Sequence, residues 1–120
     1  MPLAIIEESG PIVSAKISGA LATTDVSQIQ AAAMAAIRRC GKISALFVLD
    51  DFRGWTQEPE LADVSFLNEH DRDIAKIAVV GDAEWRPLMY AFLAKGFRQA
   101  QIEYFLAADL AKAREWLSAP

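Results

Sequence analysis

The chain is poor in the side chains that most often carry chemistry. Of its 120 residues, one is cysteine, Cys40, and one is histidine, His70. A lone cysteine rules out an internal disulfide and fits a reducing compartment. A lone histidine makes any Ser-His-Asp arrangement depend on His70, and no G-x-S-x-G elbow accompanies it. Neither G-x-G-x-x-G nor G-x-x-x-x-G-K-[ST] occurs, so dinucleotide and P-loop nucleotide binding lose their signature. Basic residues are few: 12 against 16 acids, a net charge of −4. That balance argues against general nucleic-acid binding and against docking on an anionic membrane. No stretch approaches the ~20 apolar residues of a membrane helix. The opening MPLAIIEESG has no basic n-region and no cleavage site. The expectation is a cytoplasmic, single domain spanning residues 1–120, with no metal and no cofactor.

What the chain has is apolar surface. Hydrophobic residues make up 53% of it, more than an ordinary domain needs for its core, while 23% are charged. The surplus suggests a protein partner or a second copy of the chain. The organising stretch is Ile43 to Trp55, ISALFVLDDFRGW. Its continuous apolar run, Ala45 to Leu49, belongs at the centre of a sheet, with charge expected where the strand ends.

The other elements follow in order. Leu3 to Glu8 reads as a strand, and Ser9-Gly10-Pro11 as a turn. Ile12 to Ser18 alternates, with Val13, Ala15 and Ile17 on one face and Ser14, Lys16 and Ser18 on the other, and Gly19 ends it. Thr23-Thr24-Asp25 starts a helix whose stripe is Val26, Ile29, Ala33, Ile37 and Cys40, and Gly41 caps it. Pro59 opens a second helix through Leu61, Val64 and Leu67, ending near His70. Ile74 to Val80 is a further strand. A third helix from Ala83 or Glu84 carries Trp85, Leu88, Met89, Phe92 and Leu93, with Gly96 as its cap. Gln101 to Leu106 is a strand and Ala107 to Leu117 a helix. The order β-β-α-β-α-β-α-β-α predicts an α/β domain, a mostly parallel sheet with an antiparallel N-terminal hairpin.

In such sheets ligands gather at the carboxyl ends of strands. Two ends stand out: Asp50-Asp51-Phe52-Arg53-Gly54-Trp55 and Gly81-Asp82-Ala83-Glu84-Trp85-Arg86. Asp50, Asp51, Arg53, Trp55, Asp82, Trp85 and Arg86 are the candidate ligand- or partner-binding residues, since arginine and tryptophan anchor interfaces. Asp50 and Asp51 do not make a metal site, because neighbouring strand residues face opposite ways. His70 reads as a helix-end cap, and Cys40 as a small core residue.

Three pieces in order, Leu49–Trp55, Ile74–Asp82 with Trp85, and Tyr104-Phe105 leading to Ala113–Leu117, resemble the SpoIIAA-like group of small bacterial proteins. That group is similar to STAS domains of anti-sigma-factor antagonists and, more distantly, to CRAL-TRIO lipid-binding domains. The resemblance implies a curved-sheet β/α superhelix and a non-enzymatic role as a protein-interaction module. Its alternative implication is a carrier of a small apolar or lipid ligand, with Trp85, Met89 and Phe92 walling the pocket. The antagonists' phosphorylatable serine has no counterpart after Asp51. After Asp51 the first serine is Ser65, and Thr56 is the nearest hydroxyl.

Overall fold

The computed structural model describes residues 4–62, 65–96 and 98–119, with the backbone alone for 4–9, 60, 62 and 67. Leu3 and Val64 lie outside the described residues, as does the Leu67 side chain. The strands are β1 (Ala4–Ser9), β2 (Ile12–Leu21), β3 (Ile43–Trp55), β4 (Ile74–Gly81) and β5 (Gln101–Leu106). The helices are α1 (Thr23–Cys40), α2 (Ser65–Glu69), α3 (Arg86–Leu93) and α4 (Leu110–Ser118). Single 3-10 turns at Pro59–Ala62, Asp71–Asp73, Ala83–Trp85 and Ala107–Asp109 lead into the element that follows each.

The strands lie side by side in chain order, β1-β2-β3-β4-β5. From β2 to β5 every pairing is parallel, and the antiparallel contact is confined to β1 on β2. Parallel strands added in one direction, each by a crossover of the same hand, put the connecting helices on one face. The two hydrophobic clusters show this arrangement. The larger joins α1 and α3 to Val13, Ile17, Leu49, Ile77 and Val79 on one face of the sheet. The smaller sets Ala113 and Leu117 of α4 against Leu46, Ala78 and Val80 on the other. Among the described helices only the terminal one packs on that second face, where it covers β3, β4 and β5. Over β2 that face carries Ser14 and Lys16, which tolerate water. No helix among the described residues is long and apolar enough to cross a membrane.

Several local details differ from expectation. Of the α1 stripe, Ala33 is buried and Val26, Ile29 and Ile37 pack against the core, and Ala36, outside the stripe, is fully buried, but Cys40 is exposed and its Sγ lies 3.6 Å from the Gly10 carbonyl oxygen. Ile37 in the last turn of α1 still packs against the core, while Cys40 lies beside the turn between β1 and β2. Ala22 is the N-cap of α1, and Asp25 reaches back to accept the Ala22 N–H at 2.9 Å. α3 stops at Ala94, which takes the left-handed conformation at φ +57°, two residues before Gly96. Leu88 is 50% exposed and does not join its inward face. The second helix is a 3-10 turn followed by five residues of α-helix.

Candidate functional site

The rim expected at Asp50–Trp55 is still strand. β3 runs on to Trp55, well past its last pair with β4, Val48 to Val80. Its pairing with β2 slips twice. Ile17 pairs with Leu49, Gly19 with Phe52, and Leu21 with Trp55, so β3 spends three residues for every two on β2. Each slip holds a residue at positive φ, Asp51 at +53° and Gly54 at +87°. These are β-bulges, which insert one residue and re-aim the side chains after it. Without the first bulge, alternation from Leu49 would send Asp51 into the core. With it, Asp51 stays exposed and Phe52 is buried.

The bulges split the predicted site residues into separate groups. Asp50 sits on the α4 side of the sheet, paired with Lys16 at 3.2 Å. Asp51 pairs with its neighbour Arg53 at 3.5 Å, both side chains more than two-thirds exposed. Exposed pairs of this kind contribute about 0–1 kcal/mol. Trp55 and Trp85 do come together. With Phe52 they form three edge-to-face contacts, with ring centroids 4.8 to 6.1 Å apart. Trp55 also rests on Phe92 of α3 at 5.3 Å. A Cβ on Gly54 would lie 3.5 Å from the Trp85 ring, so the bulge brings backbone against indole. The tryptophans thus close the core from inside.

At the second strand end, the Tyr104 hydroxyl donates to the Asp82 carbonyl oxygen. It passes Gly81, where a Cβ would come within 2.9 Å of that hydroxyl. Arg86 stacks over the Tyr104 ring at 5.8 Å. Burial, with the Asp82 charge beside it, pushes the Tyr104 phenol up to about 12. The Asp82 and Arg86 side chains are exposed. His70 stacks on Phe66 at 4.7 Å, and its Nδ1 lies 3.1 Å from Asp73 Oδ2.

Below the aromatic cluster lies a feature the rim reading misses. Between the sheet, α1, α3 and the side chains of Leu61 and Phe66 is a cavity of about 110 Å³. Val13, Ile17, Ala45 and Ile77 form its floor, Ala33 and Ile29 one wall, and Met89 and Phe92 the other. Among the described lining residues only Gln30 is polar. Of the three side chains expected to wall a pocket, Met89 and Phe92 do so, while Trp85 packs on Phe52 and Trp55. A second, polar cavity of about 270 Å³ adjoins it, sharing Val26, Gln30, Leu61 and Phe66, with Thr23, Ser27, Ser65 and Glu69 at its edge. The sequence signal was faint: alanines at 33 and 45, on facing elements, leave room that larger residues would fill.

A family model described as SpoIIAA-like matches residues 12–118. Among solved structures, the chain is similar to an uncharacterized protein of the DUF3478 family with a SpoIIAA-like fold from Shewanella loihica PV-4. The TM-score is 0.71 at 21% identity, over 96% of this chain and 92% of that one. That likeness is one of fold. No curated protein matches the chain.

Proposed function

We propose, from the premise that the chain belongs to the SpoIIAA-like family, that it is a non-enzymatic binding module for a small apolar ligand. The cavity carries this reading. The cavity, about 110 Å³, is partly open, so its apolar lining is left facing water at a cost of roughly 25 cal/mol per Å². A ligand that fills it recovers that loss. Apolar cavities of similar size take a single aromatic ring, so the ligand body is a ring or a short alkyl segment. Preformed, mostly apolar concavities with one or two polar groups are the usual form of small-molecule sites.

The test is a titration with benzene followed by amide and methyl NMR. Shifts centred on Ile29, Ala33 and Met89, abolished in an Ala33→Leu variant, are the expected result. Undisturbed spectra at saturating benzene, with nothing co-purifying in native mass spectrometry, defeat the proposal.

A second reading, docking of a protein partner or another copy of the chain, is favoured by two exposed leucines. Leu88 of α3 is 50% and Leu106 42% exposed, and Leu106 pairs with Gly81 at the ends of β5 and β4. If this reading holds, light scattering detects an assembly that Leu88→Ser with Leu106→Ser dissolves. A native chain that stays monomeric and a pulldown unchanged by the double variant remove it.

A further inference from the structure

The apolar cavity and its polar neighbour differ in what they offer a ligand's head group. Gln30 reaches both. Thr23 lines the outer one, where its backbone N–H and its hydroxyl both face the Glu58 carboxylate. Among the described residues that line the two cavities there is one charged side chain, Glu69, and no lysine, arginine or histidine.

The start of α1 is the one feature there that could attract an anion, since helix N-termini carry partial positive charge. The chain's own carboxylates already occupy it. Glu58 Oε1 accepts the Thr23 N–H at 3.1 Å and the Thr56 hydroxyl at 2.7 Å. Those bonds hold the Glu58 carboxyl below the usual carboxylate range. Asp25 accepts the Ala22 N–H. An incoming carboxylate meets anions and no counter-charge, and loses its hydration without compensation. A cation fares little better at the inner end, where the Gln30 amide is the one polar group among the described lining residues. Glu69 is exposed, and exposed charge pairs are weak.

We infer that the ligand carries a single uncharged hydrogen-bonding head, an alcohol or amide on a short apolar body, and that Gln30 determines this preference. The inference rests on the apolar-ligand reading above, and the experiment separates the two. The full-length chain is titrated calorimetrically at pH 7 with 1-hexanol, hexanoate, hexylammonium and benzene. The expected result is 1-hexanol bound about tenfold more tightly than either ion, the worth of one good hydrogen bond. Gln30→Met removes the advantage of 1-hexanol over benzene. Glu69→Lys, at an exposed position where folding is not at stake, brings hexanoate to within about threefold of 1-hexanol, as a surface charge reversal permits. Hexanoate or hexylammonium binding the native chain as tightly as 1-hexanol overturns the head-group inference and leaves the apolar cavity standing. Binding of none of the four, benzene included, removes the cavity reading and this inference with it.

Discussion

The two faces of the sheet are built from the same strands, residue by alternate residue, yet they are packed to different standards. Against α4, small and medium side chains meet closely. Ala78 and Ala113 are fully buried, with Leu46 and Val80 at 1% exposure. Against α1 and α3 the residues are larger and the helices stand off far enough to leave the cavity. Tight packing at native density holds a fold, and a gap gives up part of that stability. The difference teaches that this domain keeps its close packing on the α4 face and its open volume on the other.

Five substitutions test that contrast, in descending order of effect. Leu46→Ala, on the tight face, is expected to cost about 3 kcal/mol, read as a lower urea midpoint, with ligand binding unchanged. An equal loss of binding would mean the faces are not independent. Next is a pair on α1. Ala36 is fully buried and Ala33 lines the cavity. Ala36→Leu overpacks and costs about 1–3 kcal/mol. Ala33→Leu fills space and stabilises by about 1 kcal/mol. If both destabilise alike, the cavity is not available volume.

Tyr104→Phe removes the hydrogen bond to the Asp82 carbonyl and costs about 1 kcal/mol at neutral pH. It also tests a pH effect. The phenol titrates near 10 when unfolded and about 12 when folded. Its contribution is therefore fully present below pH 10 and is lost as pH rises through the folded value. The native chain should lose stability between about pH 10 and 12 more steeply than the variant, as seen in thermal melts across that range. The smallest effect belongs to Asp50→Asn, which breaks only the exposed pair with Lys16 and shifts stability by less than about 1 kcal/mol. A larger loss would give the rim a role that its geometry does not suggest.

Much of this was legible in one dimension. The alternation of Val13, Ala15 and Ile17 with Ser14, Lys16 and Ser18 marks a half-covered strand, and these three apolar residues are buried. The run Gln101 to Leu106 matches β5 residue for residue. The rim did not survive as a unit. Periodicity assumes that each residue flips the face, and two bulges in β3 break that rule where the candidate residues sit. Asp51 carries its positive φ without being glycine, so composition offered no warning there. Cys40 was misplaced for a similar reason: helical spacing puts it on the stripe, but the fold sets it beside the turn between β1 and β2.

Local patterning was enough to place strands, helices and an apolar core, because alternation and helical periods are properties of neighbours along the chain. Strands added in one direction by crossovers of one hand then left a single one of the described helices, the last, for the second face. How closely each helix approaches the sheet depends on side chains from four or five separate segments meeting at once. Whether a gap remains between them, and which polar atoms open onto it, is settled only when those segments fold together.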